Sequence, residues 1–198
     1  MMFDLPGLLT AARDTVQHPR AGARAVLNLG LPVSAAWTAL ALMAVASSAL
    51  SAVTFLMSDM GAEPPLDAAM VALFSNPIQL ALIQAVALAF GAWLIHIIGR
   101  RFSGKGQFHD ALVLVAWLEF ILLLVQIVQT VLLLVSPQLA AVLGMFGLVL
   151  FLWLLTNFIA ELHGYSSILA VFFAIVGSVL LISFAAAVLI VFFVLIGG

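Results

Sequence analysis

Residues 111–135 read ALVLVAWLEFILLLVQIVQTVLLLV, an unbroken apolar run with one ionisable side chain, Glu119. A helix needs about 20 such residues to cross a hydrocarbon core. In lipid the backbone must satisfy its own hydrogen bonds, so a continuous helix is the form the run takes. Working outward, four more stretches of the same kind follow, and the spans fall at about 34–57, 77–99, 111–135, 138–160 and 167–196. Only Ser136-Pro137-Gln138 separates the third from the fourth. Proline there removes an amide donor and drives Ser136 out of helical geometry, so a tight hairpin is expected. Small residues mark the expected contact ridges: Ala44, Ser48 and Ala52 on the first span, and Ala81, Ala85 and Ala89 on the second. Such ridges let helix backbones approach closely.

Composition points the same way. Of 198 residues 66% are apolar and 7% charged, with a mean hydropathy of +1.34, whereas a soluble domain carries about 25% charged residues to hold its water-facing shell. The expected fold is an all-α integral membrane protein, a bundle of five transmembrane helices over residues 34–198. A short interfacial amphipathic N-terminal arm over residues 1–33 precedes it. In that arm Asp4 before Pro6 suits a helix start. Leu8, Leu9, Ala12 and Val16 then recur at helical spacing opposite Arg13 and Gln17, and Pro19 should stop the helix. The charges at Asp4, Arg13, Asp14, Arg20 and Arg24 break up any cleavable leader, so the first span is expected to act as the insertion signal. Cysteine is absent, which excludes disulfides, thiolate catalysis and cysteine-based metal sites.

Charge placement gives orientation. The six basic residues sit in two groups, Arg13, Arg20 and Arg24 before the first span and Arg100, Arg101 and Lys105 between the second and third. Two spans separate the groups, so both belong on one side. The loop on the other side carries Asp59, Glu63 and Asp67 and no basic residue. The positive-inside rule puts the N-terminus in the cytoplasm and, after five spans, the C-terminus outside. The expected location is a plasma membrane, as in the bacterial inner membrane.

Polar residues within the spans are few enough to take singly. Glu119 lies eight residues into its span, about 12 Å deep at 1.5 Å per residue. A carboxyl at that depth has to face protein or a water-filled cavity. Gln126 and Thr130 fall within about 20° of Glu119 around the helix, and Gln84 is expected level with Gln126, about 22 Å deep. Two roles compete for this face: a pathway for protons, ions or lipid headgroups, or hydrogen bonds tying helices together. Ser47, Ser48, Ser178 and Ser183 are expected to bond to preceding carbonyls of their own helices.

At the cytoplasmic ends His96, Asn157, Glu161 and His163 share one depth. No metal-ligand spacing is present among them, so capping and interfacial anchoring are expected rather than a metal. Gly164 should end the fourth span and Ser166 should cap the fifth. Residues 99–106 read GRRFSGKG, which nearly matches a phosphate loop but has Gly106 where Ser or Thr is required and follows a helix rather than a strand. Nucleotide binding is therefore not expected. Arg100, Arg101 and Lys105 are instead placed to meet anionic headgroups.

Three stretches resemble the Yip-domain family of membrane proteins. One is His18-Pro19-Arg20-Ala21-Gly22-Ala23-Arg24, followed by Leu27 and Leu29-Gly30-Leu31-Pro32. Another is the basic, glycine-containing loop from Gly99 to Phe108, and the last is Glu161-Leu162-His163-Gly164-Tyr165-Ser166. The family is known from Rab-interacting proteins of the secretory pathway and from bacterial relatives. Two departures are visible: the third span reads Ala116-Trp117-Leu118-Glu119-Phe120 where many relatives carry an early proline, and the long acidic domain of eukaryotic relatives has no counterpart. The resemblance therefore implies a bacterial-type member with five spans and a cytoplasmic N-terminus.

No nucleophile–base–acid arrangement, cofactor motif or nucleic-acid motif is present. The expected function is non-enzymatic: organising lipid, anionic headgroups above all, or recruiting a protein partner or second copy at the cytoplasmic face. The alternative is a small transporter, channel or lipid-translocating protein using the Glu119 face.

Overall fold

The structure, a computed structural model, describes residues 4–59 and 76–197. Glu63 and Asp67 of the expected acidic loop lie outside the described residues. Seven helices are present among those described: α1 (Leu5–Gln17), α2 (Pro19–Leu27), α3 (Val33–Asp59), α4 (Pro77–Arg101), α5 (Phe108–Val135), α6 (Pro137–His163) and α7 (Ile168–Gly197). The last five contain the long apolar spans, with hydropathy means from 2.0 to 2.7. The chain is a helical membrane bundle.

The helix ends follow from local chemistry. Ser136 is extended at φ −159° and ψ 110°, as a residue before proline should be, and its hydroxyl accepts from the Leu139 amide that opens α6. That gives the hairpin between the third and fourth spans. Gly164 stops α6 in the left-handed region at φ 74°. The Tyr165 amide donates back to the Ala160 carbonyl (2.8 Å) and the Gly164 amide to that of Glu161 (3.3 Å), so two of the last carbonyls are satisfied. The cap of α7 is Ser167 rather than Ser166: its hydroxyl accepts from the Ala170 amide at 3.2 Å. Ser167 stands three residues before that amide, the spacing of an N-cap.

The first arm helix stops before Pro19 as expected, but a second helix follows at once. Pro19 opens α2 at the first helical turn, where its missing amide would have had no partner and its fixed φ already suits a helix. The break is His18, at φ −132° and ψ 70°. The arm is therefore an elbow of two helices. Gly22 lets α2 cross close to Thr15 of α1, because a Cβ at that position would run into the Thr15 side chain.

The hub is α5, which packs against α2, α3, α4 and α6. Its six residues from Ala111 to Ala116 are all buried, so at this level it is surrounded on every side. The expected ridge on α3 is buried at Ala44, Ser48 and Ala52 and continues through Ala36 and Leu40. By contrast α7 packs on α6 at the edge of the bundle, and most of its described side chains face outward.

Candidate functional site

At the end of the bundle that bears the arm, three separate parts of the chain converge on α6. Glu161 receives two guanidinium groups from α2, Arg24 through Nε at 2.7 Å and Arg20 through Nε at 3.0 Å. The same Arg20 donates through Nη2 to the Tyr165 carbonyl at 3.2 Å. Glu161 is only 11% exposed, against 35% and 64% for Arg20 and Arg24, so the arm brings its charges to a mostly buried acid. Two more bonds hold the arm: the Trp117 indole donates to the Thr15 hydroxyl (3.2 Å), and His109 Nε2 donates to the Leu31 carbonyl (2.8 Å).

His163 stands inside a cradle of glycines. A Cβ added at Gly99, Gly104 or Gly106 would run into its ring, so the turn from α4 to α5 can close on the imidazole only because these positions lack one. The Gly106 amide donates to Nδ1 at 3.2 Å, and Nε2 donates to the Ile95 carbonyl at 3.1 Å. Nδ1 is thus an acceptor and Nε2 carries the hydrogen, which fixes the ring as the neutral Nε2–H tautomer. The Tyr165 ring stacks on His163 at 5.5 Å between centroids, and its hydroxyl donates to the Gly99 carbonyl at 2.7 Å. Burial pushes the Tyr165 phenol up from its ordinary range, so it stays protonated as that donor.

The four polar residues expected at one depth therefore do not form one centre. His163 and His96 are joined through Gly106, whose carbonyl accepts from His96 Nδ1 at 3.1 Å. Glu161 faces the arm, and Asn157 donates to the Trp153 carbonyl of its own helix (2.8 Å). Among the described residues no three His, Asp or Glu side chains gather as metal ligands would.

Deeper in the bundle the polar face of α5 meets α3 and α4. The Ser48 hydroxyl donates to Gln84 Oε1 (2.8 Å), and Gln84 Nε2 donates to Glu119 Oε1 (2.6 Å), which joins three helices in one chain of bonds. Further along, Gln126 Nε2 donates to the Ser51 hydroxyl (2.9 Å), and the Thr130 and Thr54 hydroxyls are 2.7 Å apart. Ser48 therefore bonds across the interface rather than back to its own helix. Gln84 pairs with Glu119 instead of lying level with Gln126. The reason is where the two helices start: α4 is level with Gly106 at His96, three residues short of the expected boundary at Gly99, and α5 begins at Phe108, three residues before Ala111, so both expected depths count from displaced ends.

A groove of about 650 Å³ opens between α4, α5, α6 and α7. Phe102 and Tyr165 stand at its arm end, Gly91 and Leu155 along its walls, and Ala87 and Ile182 at its inner limit. Glu119 is its one charged residue.

A family model described as the Yip1 domain matches residues 13–196. The chain belongs to the Yip1 family. Searches among curated proteins and among solved structures each returned no match. Within this Yip1 domain the three stretches of resemblance come together at one place. The arm supplies Arg20 and Arg24, the stretch around the α4–α5 turn supplies Gly99 to Gly106, and the end of α6 with the turn after it supplies Glu161, His163 and Tyr165. Reading the sequence alone did not pair them. The available signal was an acid at the end of α6 with two arginines one helical turn apart in the arm of the same Yip1 domain, and three glycines spaced closely across the end of α4 and the turn after it.

Proposed function

We propose that this Yip1-family protein is non-enzymatic and organises anionic lipid at the cytoplasmic face of a plasma membrane of the bacterial inner-membrane type, where it also presents a surface to protein partners. The observation that carries the reading is a division of labour among its basic residues. Arg20 and Arg24 are held by Glu161, whereas Arg100, Arg101 and Lys105 make no ion pair among the described residues. Positive charge gathered at the arm end also supports the cytoplasmic orientation. Each basic residue near an anionic surface contributes about 1 kcal/mol, so three together would favour anionic over neutral lipid by roughly a hundredfold.

The test is enrichment of fluorescent phosphatidylglycerol around the reconstituted protein, by energy transfer, with Arg100, Arg101 and Lys105 changed together to glutamine. The triple variant should lose most of the preference at low salt, and high salt should abolish it in the native protein. Unchanged enrichment in the triple variant would refute the reading.

The groove at Glu119 favours a second reading, passage of lipid or ions along that face. Among the described residues the lining of the groove runs about 22 Å, from Ser167 to Ile182 at 1.5 Å per residue, against roughly 30 Å for a hydrocarbon core. It supports residence better than passage. Flux across liposomes that disappears in Glu119→Gln would reverse that order.

A further inference from the structure

We infer that the groove between α4 and α7 is a binding site for one acyl chain of an anionic phospholipid, whose headgroup rests at the arm end. This rests on the reading of that end as the anionic-lipid face. The wall is apolar, built from four helices, and the volume of about 650 Å³ is within the range of sites that enclose a small molecule. Space of that size in an apolar wall is not filled by water, which needs several polar partners. The helices on either side of the opening present exposed apolar side chains, Phe90 on α4 and Leu180 and Leu181 on α7, so the medium at the opening is hydrocarbon. The run from Ser167 to Ile182 is about 22 Å, the length of one extended acyl chain, and the second chain of the lipid stays in the bilayer.

Charge sets the headgroup. Arg101 immediately precedes Phe102 at the mouth, and neither it nor Arg100 nor Lys105 has an ion-pair partner among the described residues. Glu161, the acid next to the mouth on α6, is already matched by Arg20 and Arg24. An anionic headgroup therefore meets unneutralised cations there. Glu119 on the α5 wall keeps one oxygen on the Gln84 amide.

The experiment uses the full chain in liposomes containing phosphatidylglycerol or phosphatidylcholine with a photoreactive group midway along one chain. Adducts are mapped by mass spectrometry. With phosphatidylglycerol they should concentrate on groove residues such as Ala87, Leu155 and Ser178, several-fold above the outer face of α7, and phosphatidylcholine should give fewer. Gly91→Phe fills the groove from a position where an added Cβ meets no atom within 4 Å, and Ala174→Leu fills it from α7. Each should reduce groove adducts several-fold while leaving energy-transfer enrichment of phosphatidylglycerol intact. Even labelling of all lipid-facing surfaces, equal labelling by both lipids, or adducts unaffected by both filling variants would overturn the site. So would a cysteine at Ser178 that reacts with a water-soluble reagent, or one that cross-links to a second copy. If the filling variants fail and the triple glutamine variant still loses enrichment, only the groove is wrong.

Discussion

A methyl group added at Gly99 would occupy the same space as the His163 imidazole, while one added at Gly91 would touch nothing. The two positions thus separate the conformational effect of glycine from its packing effect. Gly99→Ala should lower stability by about 1–3 kcal/mol through overpacking, read as the thermal midpoint in detergent. Gly91→Ala should raise it by up to about 1 kcal/mol, because alanine favours helix over glycine. Adding His163→Ala to Gly99→Ala should recover part of the loss, and strict additivity would show that the contact is not the cause. At Glu119 the bond comes from the Gln84 amide, and a glutamine at 119 retains an acceptor for it. Glu119→Gln should therefore be tolerated, whereas Glu119→Leu should cost about 1–2 kcal/mol by orphaning that amide. Equal melting of the two variants would remove the bond from the account.

At the level of elements, α2 is attached to the end of α6 by ion pairs from Arg20 and Arg24. Both arginines are more than a third exposed, so water screens the pairs and the attachment is weak. Glu161→Gln should then speed hydrogen exchange over residues 19–27 up to about tenfold while the protection of α5 stays unchanged. Loss of protection in both would mean that the arm and the bundle unfold together. The elements themselves were legible to different degrees. The five spans could be read because lipid imposes composition directly, and the breaks at Pro137 and Gly164 could be read because their backbone rules are local. The second arm helix could not: proline stops a helix from within but starts one from its first turn, and Pro19 alone does not say which. Nor could the pairing of Gln84 with Glu119, since counting along α4 reveals nothing of where that helix stands level with α5.

For the whole molecule, the five long helices alternate in direction from the arm end, with Ser103 at that end and Gln138 just past the far hairpin. The native chain has no cysteine, so single cysteines at these positions should react with an impermeant reagent from opposite sides, Ser103 from the cytoplasm. Reaction of both from one side would contradict the five-span topology. The latch on Glu161 also has a consequence in time. Arg24 and Glu161 are 137 positions apart, so a ribosome adding roughly 5–20 residues per second delivers the acid on the order of ten seconds after the arginine. Throughout that interval Arg20 and Arg24 lack the acid that holds them in the finished bundle, which leaves their charge to the negative leaflet. The ion pairs can close only once the fourth span has been translated, whereas the bonds of the arm to Trp117 and His109 on the third span can form before it, so the latch is the last part of the arm to set.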